Sequence, residues 1–150
     1  LPAAAPFVEP PRLCRNLTLM GNVIYPAVRL LHDDLAAWLG SEAPDSVFDR
    51  FAAAQHESFS MVTTAGDTLR RTELLNGLRA ARNTSPGLRI DISEFEELAE
   101  EFDIVVVRFL ESHHHAGAIS RRRVTAVVTR AGTEPAVQWL TVHETAFAAR

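Results

Sequence analysis

The sequence predicts an α+β domain in which helices come first and a strand-rich sheet follows. Three observations carry this. Ile24, Val28, Leu31, Leu35, Trp38 and Leu39 recur at helical spacing. From Leu88 the apolar period drops to two, with Leu88, Ile90 and Ile92 alternating with Arg89, Asp91 and Ser93. The helical patterns fall mostly before the strand patterns instead of alternating with them, which argues against a parallel α/β sheet. A chain of 150 residues makes one domain the default.

Taken in order, residues 1–22 form a Pro/Ala-rich arm, and the domain proper runs from 23 to 150. The stretch LPAAAPFVEPPRLC lacks the basic start and long apolar run of a secretory leader. The first helix places Pro26 in its opening turn, where a missing N–H costs nothing, and ends at Gly40. A shorter helix is expected from Asp45 to about Ala53, with Val47, Phe48 and Phe51 inward. His56 to Thr64 alternates as a strand and Ala65-Gly66-Asp67 reads as a turn. A third helix is expected from an N-cap at Thr72, turning Leu74, Leu75, Leu78 and Ala81 inward and stopping before Pro86-Gly87. After the strand at Leu88, strands are expected at Phe102–Ser112, Arg121–Arg130 and Ala136–Phe147, with turns at Gly117 and Gly132–Pro135. Four sequential strands of this kind form an antiparallel meander, covered on one face by the helices.

Composition narrows the function classes. A net charge of −4 argues against nucleic acid as a partner, because phosphate binding needs a basic face. Cys14 is the sole cysteine, so no internal disulfide or thiolate cluster is expected. All 15 basic residues are arginine, so no lysine can form a Schiff base. That usage is read as the coding bias of a GC-rich bacterium, and the expected setting is the cytoplasm. No stretch approaches the ~20 apolar residues of a membrane span. Gly-rich phosphate loops, nucleophile elbows and zinc-ligand spacings do not occur, and neither a metal nor a cofactor is expected. His113-His114-His115 alternates sides on a strand and reads as a polar hairpin; Arg121-Arg122-Arg123 reads as a solvated edge.

Phe102 to Leu110 and Val124 to Val128 are apolar on both faces. A sheet with one wet face should alternate more cleanly. The second face, taken to carry Val105 and Val107, is therefore expected to pack against another copy in a homodimer.

Several strings carry a family resemblance: Phe59-Ser60-Met61-Val62-Thr63 before a Gly turn, Leu74-Leu75-Asn76-Gly77-Leu78, Arg122-Arg123-Val124-Thr125-Ala126, and Trp139-Leu140-Thr141-Val142-His143-Glu144-Thr145. Over roughly Tyr25 to Phe147 the chain resembles the nuclear transport factor 2-like superfamily, which includes ketosteroid isomerase and polyketide cyclases. It looks closest to the bacterial branch related to the calcium/calmodulin-dependent kinase association domain. The resemblance implies a curved, cystatin-like sheet that closes a conical cavity with the helices. It also implies a small, partly apolar ligand, or an isomerase, cyclase or dehydratase site, or a dimeric interaction module.

Candidate site residues follow from strand faces. Regular alternation puts Trp139, Thr141, His143 and Thr145 on one side of the last strand and Leu140, Val142 and Glu144 on the other. If Trp139 lines the cavity, so does His143, whose ordinary pKa suits acid–base work. Arg108, alone among valines, needs a carboxylate such as Glu111 or Asp91, or a ligand anion. His56 and Tyr25 complete the expected lining, and His32 is read as boundary packing.

Overall fold

The structure, a computed structural model, describes residues 23–147. The expected arm at 1–22 and Cys14 lie outside the described residues. The elements are α1 (Ile24–Gly40), α2 (Asp45–Ala53), β1 (Gln55–Val62), β2 (Thr68–Arg70), α3 (Arg71–Ala80), β3 (Arg89–Glu101), β4 (Ile104–His115), β5 (Ala118–Arg130) and β6 (Val137–Ala146). The α+β class and the β3–β6 meander are as expected. The sheet has six strands in the order β2-β1-β6-β5-β4-β3. β1 joins β6 in parallel, and the other pairs are antiparallel.

The helices cover the concave face. α1 buries Ile24, Val28 and Leu31 along its apolar stripe, against Val105, Val107, Phe109, Val124, Val128 and Trp139 of the sheet, while Trp38 packs with Ala43 and Phe48 on the α2 side. A side chain the size of Phe109, fully buried there, would cost about 3–5 kcal/mol to truncate to alanine. Two polar ties fix the helix layer. The Trp38 indole N–H donates to the Leu78 carbonyl of α3 at 2.6 Å. Arg50 of α2 donates through Nε to Asp34 of α1 at 2.8 Å, and its second nitrogen meets the other carboxylate oxygen. Gly40 ends α1 for a steric reason beyond helix termination: a Cβ there would lie 2.9 Å from the Leu88 nitrogen.

α3 differs from expectation at its start. It begins at Arg71, so Thr72 is inside the helix, and the Glu73 carboxylate accepts from the Arg70 N–H at 3.1 Å. That is the reaching-back half of a capping box, supplied by the third residue of the helix. β3 also runs well past the alternating Leu88–Ser93 segment, through an acidic stretch to Glu101. Register shifts at Ser93/Glu96 and Glu97/Ala99 mark extra residues on β3, with Glu94 in the left-handed region at φ 50. Such bulges bend a strand, and here they curve the sheet's edge.

Pairing fixes the faces. Val105, Val107, Phe109, Glu111 and His113 of β4 point inward, level with Val128, Ala126, Val124, Arg122 and Ser120 of β5. The expectation that Val105 and Val107 form an intersubunit face is corrected, because both are fully buried in the core. The outward apolar residues of the sheet include Val106, Leu110, Val127 and Leu140, each half-buried, and the more exposed Ile104 and Ile119.

Candidate functional site

A cavity of about 260 Å³ lies between the concave sheet face and the three helices. Most of its wall is apolar: Leu31, Leu35, Phe51, Phe59, Met61, Leu74, Val124, Val142 and Trp139. Its polar groups are His32, Gln55, Glu111, His113, Arg122 and Glu144.

Glu111 is the centre of this group and is only 3% exposed. One carboxylate oxygen faces His32 Nε2 at 3.3 Å, and the other meets His113 Nε2 in a short contact. His32 Nδ1 lies 2.7 Å from the Val28 carbonyl, one helical turn back. A carbonyl can only accept, so Nδ1 carries a proton; with Nε2 turned to a carboxylate, the ring is an imidazolium. Burial pulls the His32 pKa down, but the Glu111 carboxylate outweighs this and the net shift is upward. Burial likewise pushes Glu111 up, and hydrogen bonds from His113 and His32 reverse it to well below the usual carboxylate range. The rings of Phe109 and Trp139 stand T-shaped to His32 at 5.3 and 5.9 Å.

Glu144 is the second carboxylate. Its oxygen accepts from Arg122 at 3.2 Å, and its side chain is 13% exposed. Its pKa is raised, first by burial and then by repulsion from Glu111, against the opposing pull of Arg122. The cavity therefore holds two carboxyl groups displaced in opposite directions.

The site residues named from the sequence fall as follows. Trp139 lines the cavity, 2% exposed, with its backbone N–H held by the Ala54 carbonyl at 2.8 Å. His143 and Thr141 do not line it: both are exposed on the outer face. This corrects the alternation argument, and the reason is one bulge. Val128 pairs with Trp139 but Val127 pairs with Thr141, so Leu140 is an extra residue on β6. Beyond it the phase reverses, and Val142 and Glu144 join Trp139 inside. Arg108 points outward and pairs across the sheet with Glu96 at 3.3 Å, not with Glu111 or Asp91. His56 accepts the Ser58 N–H at 3.1 Å and Tyr25 packs at a tilt against Phe95 with centroids 5.0 Å apart; neither lines the cavity.

The residues that do meet are ones to which the sequence assigns structural roles: boundary packing for His32, an edge guard for Arg122 and a hairpin for His113. His113 turns in to Glu111 while His114 turns out to Asp91 at 2.9 Å, the alternation expected of that triplet. Among the described residues no group of His, Cys, Asp and Glu is arranged to hold a metal ion, and no helix is long and apolar enough to cross a membrane. One signal in the sequence pointed to the bulge. Apolar residues on β6 run 137, 139, then 140, 142, so the phase restarts at the adjacent pair Trp139-Leu140.

No family model and no curated protein matches the chain. Solved structures do. An NTF2-like protein of unknown function from Pseudomonas aeruginosa is 30% identical, with a TM-score of 0.78, over 83% of this chain and 98% of that one. A protein of the NTF2-like family from Streptomyces avermitilis, for which a dehydratase role is suggested by its name, is 13% identical at a TM-score of 0.67, over 84% of this chain and 94% of that one. A suggested ketosteroid isomerase from Parabacteroides distasonis is 15% identical at a TM-score of 0.62, over 88% and 93%. The latter two speak for the fold alone, a cystatin-like curved sheet under three helices.

Proposed function

The chain belongs to the NTF2-like proteins, and from that premise we propose that its cone binds a small, partly apolar organic molecule. The observation that supports this is the buried Glu111, clamped by His32 and His113 in a cavity whose other walls are mostly hydrocarbon. Ligand sites are commonly apolar enclosures with a few convergent polar groups that fix orientation. The test is a thermal-shift screen of small ketones, alcohols and hydrophobic acids. A ligand at a hundred times its Kd stabilises the fold by about 2.7 kcal/mol, well within reach of the method. Met61→Trp, which fills the cavity, should abolish the shift. A shift that survives Met61→Trp places the ligand elsewhere.

A second reading, acid–base catalysis of the isomerase, cyclase or dehydratase kind, is favoured by the two oppositely displaced carboxyl groups. Divergent carboxyl environments are how one site holds an acid and a base together. Glu144 would move the proton, Arg122 would orient it, and Glu111 would hold the charge of the His32 imidazolium. Glu144→Gln should then lower turnover about 10²–10⁴-fold. Unchanged turnover in that variant removes Glu144 from the mechanism.

The outer sheet face is proposed to form a homodimer, supported by the half-buried Val106, Leu110, Val127 and Leu140. Val106→Arg should give a monomer by light scattering, and a dimer that persists rules this face out. The narrower kinship to the kinase-association branch is likewise a proposal, supported by the four sequence strings quoted above.

A further inference from the structure

Two cavities share one pair of lining side chains. The cone holds about 260 Å³. A second cavity of about 500 Å³ lies among the described residues, between the first turns of α1 and the β5–β6 loop. Leu31 and Trp139 line both. We infer that these two side chains are a partition that limits the length of ligand the cone accepts, and that Leu31 is its adjustable half.

The two halves differ in how they are held. Trp139 is fixed by its strand and by ring contacts to His32 at 5.9 Å and Phe109 at 6.3 Å. Leu31 contributes only an isobutyl group from α1, with no polar atom to anchor it. The direction of a bound molecule follows from β6. Glu144 and Trp139 both face inward near opposite ends of that strand, roughly 13 Å apart once the Leu140 bulge is discounted. A ligand whose polar group sits at Glu144 and Arg122 therefore points its apolar tail at Leu31 and Trp139. Ligand pockets usually span about 300–1,000 Å³. The cone alone falls just below that range, and joined to its neighbour it would fall well inside. The partition thus selects short, unbranched tails carrying an oxygen at one end.

This inference rests on the binding reading, and its test separates the two. Straight-chain methyl ketones, from hexanone to tetradecanone, are titrated by calorimetry into the wild type, Leu31→Ala and Leu31→Phe. Affinity in the wild type should rise about fourfold per methylene and then stop rising at one chain length. Leu31→Ala should carry the rise to longer chains, and Leu31→Phe should end it sooner. If Leu31→Ala does not fold, Leu31→Val should give a smaller change of the same sign. The same stopping length in wild type and truncated variant overturns the partition. If no ketone binds any of the proteins, the binding reading fails for this class. The partition is then decided by crystals under xenon. Xenon in the space vacated in the truncated variant, bridging both cavities, supports it. A space closed by movement of Trp139, with no xenon there, overturns it.

Discussion

Replacing Glu111 with glutamine removes a charge from the centre of the cavity while keeping its shape. The sign of the pH dependence follows from the two displaced groups. His32 is raised above its ordinary 6.5, so its coupling to Glu111 is fully present below that pH and is lost as pH rises through its folded value. Glu111 is lowered below its ordinary 4.5, so its contribution is present above that pH and is lost on further acidification. The pair therefore stabilises the fold most between about 4.5 and 6.5. In Glu111→Gln at pH 5, His32 must remain charged without a counter-ion or give up its proton; breaking a buried pair in this way costs about 3–5 kcal/mol. At pH 8 the ring of the variant is neutral. Its Nδ1–H still donates to Val28, and its bare Nε2 accepts from the new amide, so the loss falls to about 1 kcal/mol. The destabilisation should thus be some 2–4 kcal/mol larger at pH 5 than at pH 8, the difference between those two costs. Urea unfolding of both proteins at pH 5, 6.5 and 8, compared by linear extrapolation, reads it directly. A loss that is flat with pH, or larger at pH 8, refutes the imidazolium–carboxylate pair.

Three further outcomes are expected. Deleting Leu140 should leave a folded, cooperative protein with Glu144 still inside, because it removes a bulge residue without changing the faces around it; deleting Ala126 from regular β5 should not, and equal damage from both would remove the bulge explanation. Glu144 is raised above its ordinary value, so the wild type should lose stability as pH climbs through its folded pKa; Glu144→Gln should lack that slope in urea titrations, and a carbon NMR titration placing Glu144 below 4.5 would contradict it. Phe102 is 90% exposed at φ 53 in the β3–β4 turn, so Phe102→Gly should raise stability by roughly 0.5–1 kcal/mol, the relief of left-handed strain less the added chain entropy; a lower denaturation midpoint means the ring makes a contact worth more than the strain.

The helices were legible because their apolar period survives intact: the stripe from Ile24 to Leu39 is the one α1 buries, and α2 has its expected ends. The β3–β6 meander was legible from strand length and turn residues. The site was not, for two reasons of phase. On β4 the sequence suggests an interface for Val105 and Val107, which hides the fact that the same face ends in Glu111 and His113. On β6 a single extra residue exchanged His143 for Glu144. Faces depend on the whole count along a strand, so one unseen bulge inverts every residue past it, while fold class depends only on the period. His32 could not be found from its own neighbourhood, because its partner is 79 positions away, at Glu111.

The parallel pairing of β1 with β6 has a consequence in time. Gln55 and Trp139, paired across it, are made 84 positions apart. Until β6 emerges from the ribosome, the cone lacks Trp139, Val142 and Glu144, and β1 has no strand neighbour but the three-residue β2. Closing such a distant pair is slow and late. A ligand that fills the cone would therefore bind only finished molecules, reporting completion of the domain and drawing nascent chains across their last step.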